Sequence, residues 1–201
     1  MTDTQARVAK MFELNTVEHE LTVLHDDGLY RHILMAKPGT GLYRYELITW
    51  PGHLAISGDL DSYVFARIQD MFAFFRGHEV NPTYWAEKVK DDHKRTSSYS
   101  EDMFKQLVTE HLDDLADADL TDEQRETRDE IKERVNDGEG DCEDGAREIL
   151  RDGEQAGLWS GTWEWDLRDW DWHFLYCLNA IVAGIKAYDK AKTRTAEAVD
   201  A

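Results

Sequence analysis

The feature that most limits the possible folds is a succession of four short strand-like segments between residues 29 and 68. They read LYRHILMA, LYRYELITW, HLAISG and SYVFARI, and each is rich in β-branched or aromatic residues. Turn-forming residues separate them, in KPGTG, PG and DLD. Connections this short join antiparallel neighbours, so the sequence predicts an antiparallel β-meander.

The second segment indicates how the sheet is covered. Its alternation assigns one set of residues to each face: Tyr43, Tyr45, Leu47 and Thr49 against Arg44, Glu46, Ile48 and Trp50. We therefore expect one covered face and one wetter face.

Helical spacing replaces strand spacing after residue 68. A short Phe-rich helix is predicted to end at Gly77, and Asn81 with Pro82 begins the next one. Ser100 and Thr121 are N-cap residues of two further helices. Strands followed by helices predict an α+β fold, in which C-terminal helices pack on the meander.

We predict a single α+β domain over residues 1–201, because 201 residues with 41% hydrophobic content can build one full core. Its segments are an N-terminal helix with a possible strand (1–28), the β-meander (29–68), helices (69–112), an acidic helical segment (113–154), a Trp-rich segment with a long C-terminal helix (155–192), and a tail (193–201).

Charge is the second constraint, since the formal net charge is −19. Residues 113–154 hold 18 Asp or Glu and 6 Lys or Arg, which places −12 of that charge in 42 residues. Binding to phosphate chains or to anionic membrane surfaces requires clustered Lys and Arg. The sequence therefore predicts neither direct nucleic-acid binding nor membrane binding.

The acidic segment has two interpretations. It is either a solvated helical surface that keeps the protein soluble, or a phosphate-like surface that competes for the basic groove of a nucleic-acid-binding protein. The second interpretation predicts a partner-binding set: Asp113, Asp114, Asp117, Asp119, Asp122, Glu123, Glu126, Asp129, Glu130, Asp141, Glu143 and Asp144.

A second candidate site lies in the stretch ELITWPGHLAISGDLDSYVFARI. A His beside a carboxylate can act as a general base, and an Arg can hold an anionic ligand. The candidates at one end of the sheet are His53, Asp59, Asp61, Tyr63 and Arg67. The alternative is purely structural, because Pro-Gly and Gly-Asp are turn dipeptides. No GxGxxG, GxxxxGK[ST], HExxH or GxSxG signature accompanies them.

Metal ligands and cofactor motifs are sparse. Cys142 and Cys177 are the two cysteines, and the pair His173 and Cys177 lacks visible third and fourth ligands. We predict no metal and no cofactor. Few cysteines and an N-terminus without an apolar h-region indicate the cytoplasm.

One resemblance adds to this interpretation. The pattern YELITWPGHLAISGDLDSYVFARIQDMFAFF, followed by NPTYWAEKV, resembles a family of uncharacterised proteins of tailed phages and prophages over about residues 30–90. The resemblance implies a phage or prophage gene that acts in the bacterial cytoplasm, and no site residues follow from it.

Three functions remain open. The first is a non-enzymatic accessory protein that binds a host or defence protein with a basic surface, through nucleic-acid mimicry. The second is a small-molecule or nucleotide binding protein, or an enzyme, with a site near His53 and Asp59. The third is a virion or assembly component.

Overall fold

The computed structural model describes residues 3–90, 96–115 and 119–199, with the backbone alone for 196–199. Contacts divide the chain into two compact units. We call Met1–Thr96 with Trp170–Ala201 the sheet unit, and Ser97–Asp169 the acidic unit. Compactness does not test whether either unit folds alone, so the single domain stays a prediction.

The sheet unit contains a five-stranded antiparallel sheet in which neighbours in sequence are neighbours in space. The strands are β1 Glu20–Asp27, β2 Tyr30–Ala36, β3 Tyr45–Trp50, β4 His53–Gly58 and β5 Tyr63–Ala66. This order confirms the α+β fold and the meander.

Register in the sheet follows the predicted alternation. Leu47 of β3 pairs with Ile33 of β2 and with Ile56 of β4, and all three are buried. Tyr45 and Thr49 are buried beside Leu47, whereas Glu46, Ile48 and Trp50 on the other face are half-buried. One face of the sheet therefore carries the core, as the sequence predicts.

The turn after β4 depends on glycine. A Cβ atom on Gly58 would lie 2.2 Å from the carbonyl oxygen of Arg44, so only glycine permits this approach. Asp59 then fastens the turn, because its backbone N–H donates to the Arg44 carbonyl at 2.9 Å and its carboxylate accepts from the Tyr43 N–H at 2.8 Å. Tyr43 has a left-handed φ of 56°.

The described residues of the sheet unit form four α-helices: α1 Asp3–Thr16, α2 Met71–Phe75, α3 Pro82–Ala86 and α7 Trp172–Val199. Asp70 caps α2, and Asn81 caps α3 with Pro82 in the first turn. Helix α7 also continues through 193–199, which the sequence assigns to a tail. The hydroxyls of Thr193 and Thr195 also donate to backbone carbonyls four residues earlier, as Thr side chains within helices do.

The acidic unit is mainly helical. It contains β6 Ser97–Tyr99, α4 Glu101–Asp113, α5 Asp122–Asn136, α6 Glu143–Gln155 and a 3-10 turn, Thr162–Glu164. A last strand, β7 Arg168–Trp170, pairs with β6 and ends one residue beyond this unit. Ser100 caps α4, and Thr121 forms a capping box with Gln124 at the start of α5.

A separate hydrophobic core lies within the acidic unit. Its fully buried members come from α4, α5, α6 and the chain before β7: Phe104, Val108, Ile131, Ala146, Ile149, Leu150 and Leu167. Trp159 closes it, because its indole N–H donates to the Leu150 carbonyl at 2.8 Å and its ring occupies the space beside Gly153. The sequence predicts the helices but not this core.

Helix α7 provides the test of the sheet-unit core. Leu178 is fully buried among the aromatic and aliphatic residues of that core. We expect Leu178→Ala to lower the free energy of unfolding by about 2–5 kcal/mol, because apolar burial is lost and a cavity remains. Urea unfolding measures this, and a loss below about 1 kcal/mol would show that the face is not packed.

Candidate functional site

Almost all of the net charge lies on the acidic unit. Its 73 residues hold 24 Asp or Glu and 8 Lys or Arg, a net charge of −16 out of −19. The remaining 128 residues hold 18 acidic and 15 basic residues, a net charge of −3. The acidic unit therefore contains a larger share of the net charge than the segment 113–154, which the sequence indicates.

The arginines of this unit are engaged in contacts within it. Arg134 bridges Glu139 and Asp152 at 2.6 and 2.7 Å, which joins the end of α5 to α6 and raises the pKa of the guanidinium through those hydrogen bonds. Arg147 donates to the Thr162 carbonyl at 3.1 Å. Two more arginines pair with neighbouring carboxylates: Arg125 with Asp122, and Arg128 with Asp129.

Helix α5 shows how the acidic residues are arranged. Its inner face carries Ile131 and Val135 in the core. Its outer face carries four exposed glutamates at spacings of three, four and three residues: Glu123, Glu126, Glu130 and Glu133. None of the four forms an ion pair with any residue that the structure describes. At 1.5 Å per residue the row spans about 15 Å, or about one charge per 5 Å.

The predicted partner-binding residues can now be placed. Ten are exposed: Asp113, Asp114, Asp119, Asp122, Glu123, Glu126, Asp129, Glu130, Asp141 and Asp144. Glu143 is half-buried with Arg147 3.6 Å away, and Asp117 lies outside the described residues. Glu133 is not among the predicted residues, although helical periodicity from Glu126 and Glu130 places it in the same row.

One exposed tryptophan stands out on this unit. Trp163 is 78% exposed on the Thr162–Glu164 turn, whereas Trp159 is buried in the core. Glu154 of α6 holds the turn, because its carboxylate accepts from the Gly161 N–H at 2.7 Å and from the Thr162 hydroxyl at 2.8 Å. These hydrogen bonds lower the pKa of Glu154. The turn that carries Trp163 is therefore fixed to α6.

The residues of the second candidate site do not lie together. His53 begins β4 and Asp59 follows its last residue, so the two lie about 20 Å apart at opposite ends of the strand. The His53 ring stacks on Trp50 at 5.0 Å, and the exposed Arg67 follows β5 at the same end. The structure brings Asp59, Asp61 and Tyr63 to the other end.

The residues at the Asp59 end have structural roles. Asp59 and Asp61 accept backbone hydrogen bonds in the turn between β4 and β5. Tyr63 is 1% exposed within the core, and burial raises the pKa of its hydroxyl. These contacts support the structural interpretation of the motif.

A charged cleft lies on the wetter face of the sheet, and the sequence does not predict it. It has a volume of about 330 Å³ and includes Arg44, Glu46, Ser57 and Asp59 in its lining. Glu46 accepts from Arg44 and lies 2.6 Å from Nε2 of His32. Arg44 and His32 therefore already engage the Glu46 carboxylate that lines this cleft.

Comparison with known proteins gives no relative. No family model, curated protein or solved structure matches this chain. Among the residues that the structure describes, no group of three or more His, Cys, Asp or Glu could hold a metal ion. None of the described helices has both the length and the apolar character of a membrane span.

The arrangement predicts that the outer carboxylates of α5 do not stabilise the fold. Replacing Glu126, Glu130 and Glu133 by Gln should leave the free energy of unfolding unchanged or raise it by up to about 1 kcal/mol at low salt, because like charges three and four residues apart repel. Urea unfolding at low and high salt measures this. The control Arg134→Gln should be destabilised, and a loss of stability in the triple variant would contradict the arrangement.

Proposed function

We propose that this protein is a non-enzymatic accessory protein whose acidic unit binds a basic surface on another protein. The observation that supports this most directly is the separation of charge within the acidic unit. Arg134 and Arg147 join elements of the unit, while the glutamates on the outer face of α5 remain unpaired with described residues. A folded helix that carries these carboxylates in a row can meet Lys and Arg without rearranging its backbone.

Nucleic-acid mimicry is the form of binding that we favour. The α5 row carries about one charge per 5 Å, and one DNA strand carries a phosphate about every 3.4 Å along the helix axis. A basic groove that accepts phosphates would therefore meet a comparable, somewhat sparser row of negative charge. The resemblance to phage proteins suggests a host or defence protein as the partner and the bacterial cytoplasm as the location.

Trp163 supports the same proposal from a different property. Exposed aromatic side chains at interfaces frequently contribute the largest part of the binding energy, because they bury much apolar area at small entropic cost. Trp163 is presented by a turn that Glu154 and Arg147 already hold. The carboxylates would then raise the rate of association with the partner. The tryptophan would lower the rate of dissociation of the complex.

The experiment that tests the proposal is capture from bacterial lysate with three forms of the protein. The first is wild type, and the second carries Glu126→Lys, Glu130→Lys and Glu133→Lys. The third is a control with Glu13→Lys, Glu20→Lys and Asp27→Lys, three exposed positions on the sheet unit with the same change in net charge.

We expect wild type and the control to retain a basic, nucleic-acid-binding protein that the α5 variant loses and that added duplex DNA displaces. Equal loss from both variants would show that net charge alone attracts the partner. Retention in the presence of DNA would contradict mimicry.

The tryptophan gives a separate prediction. Trp163→Ala should raise the rate of dissociation from the captured protein by roughly tenfold or more, with the association rate changed less than about threefold. Surface plasmon resonance measures both rates. Tyr30→Ala, which removes a 54% exposed aromatic ring from the sheet unit, is the matched control and should change neither rate. An unchanged dissociation rate in Trp163→Ala would exclude it from the interface.

A further inference from the structure

A groove of about 430 Å³ lies beside α2 and α3 of the sheet unit. Its eight lining residues all belong to that unit: Ile68, Ala73, Phe74, His78, Glu79, Asn81, Tyr84 and Trp85. The volume lies within the range of sites that bind small ligands or inserted side chains. The groove has no part in the function proposed above.

Local structure forms this groove in advance. Gly77, with a φ of 72°, turns the chain after α2, and the Asn81 side chain accepts from the Tyr84 N–H at 3.0 Å to begin α3. Trp85 is 2% exposed and packs edge-on against Phe75, with ring centroids 4.7 Å apart. The groove therefore rests on the packed core of the sheet unit.

Two aromatic rings of the lining, Phe74 and Tyr84, are more exposed than the third, Trp85. Phe74 and Tyr84 have centroids 5.8 Å apart, and Tyr84 is 41% exposed beside Ile68 at 44%. The Tyr84 ring already interacts with a cation, because Nζ of Lys88 lies 4.2 Å from its centroid. Lys88 itself does not line the groove, to which Phe74 and Tyr84 both contribute.

The charge of the groove lining also favours a cationic ligand. Glu79 is exposed at the groove and forms no ion pair with the residues that the structure describes, and no Lys or Arg is among the lining residues. An aromatic lining next to an unpaired carboxylate favours a cation that also has an apolar surface.

We propose that this groove binds an arginine side chain presented by another protein. A guanidinium is planar and weakly hydrated, so it can stack on Phe74 or Tyr84 while its N–H groups donate to the Glu79 carboxylate. A lysine ammonium is a strongly hydrated point charge, so it can contact a ring and a carboxylate, but it lacks the planar surface that stacks and the fork of N–H groups that binds a carboxylate through two hydrogen bonds. The proposal is independent of the acidic unit, because every residue that it uses lies in the sheet unit.

The test uses the full chain and the peptide acetyl-Gly-Arg-Gly-amide, followed by NMR shifts of the backbone amides. Shifts should concentrate between residues 68 and 88. The arginine peptide should bind at least roughly fivefold more tightly than its lysine counterpart, and the uncharged citrulline peptide should not bind detectably. Equal affinity for arginine and lysine, or shifts concentrated in the acidic unit, would overturn the proposal.

Variants separate the groove from the general attraction of a negative protein. Glu79→Gln and Tyr84→Leu should each weaken binding of the arginine peptide by roughly fivefold at an unchanged melting temperature. Glu13→Gln removes an equal charge from an exposed position on α1 and should have no effect. The Lys triple variant of α5 should also bind the peptide normally, so this proposal and the proposed function can fail separately. Equal weakening by Glu79→Gln and Glu13→Gln would refute a specific site.

Discussion

The hydrophobic core of the acidic unit is the constraint on which its charged surface, and with it the proposed function, depends. A net charge of −16 within 73 residues opposes compaction, so apolar burial beneath α4, α5 and α6 must offset that repulsion. Phe104, Ile131 and Ile149 are the centre of this burial. Arg134 assists by neutralising the two carboxylates where α5 approaches α6. Once the core and this bridge hold the unit, the outer face of α5 can carry glutamates that no described residue pairs.

The size of this charge supports our proposal that the acidic surface serves binding and not solubility alone. A domain of this size stays soluble with a net charge of about 2–8, well below the charge carried by the acidic unit. The surplus charge costs stability through repulsion along α5, and a basic partner would relieve that cost on binding. Trp163, held out by Glu154, adds an apolar contact to a surface that otherwise offers only charge.

Local patterns predicted much of the fold, whereas contacts distant in sequence were missed. Period-two alternation, the Pro51-Gly52 turn and the caps Asn81, Ser100 and Thr121 all involve neighbouring residues, and the structure confirms them. The pairing of β6 with β7 joins segments about 70 residues apart, for which the sequence carries no local signal. His53 and Asp59 were expected at the same end of the sheet. They lie at opposite ends of β4, because the six residues of that strand separate them. For the acidic surface, the predicted residues include Glu123, Glu126 and Glu130 of the α5 row but not Glu133, and the contact of Arg134 with Asp152 joins segments too far apart in sequence to be predicted.

The rate of association between this protein and its captured partner, measured across a salt series, tests the central claim most directly. If the acidic unit steers a basic partner, the rate should fall steeply as salt rises, and reversal of the α5 charges should lower it at low salt and remove most of the salt dependence. A rate that is indifferent to salt and to charge reversal would contradict the account and leave the acidic unit as a solvated helical surface.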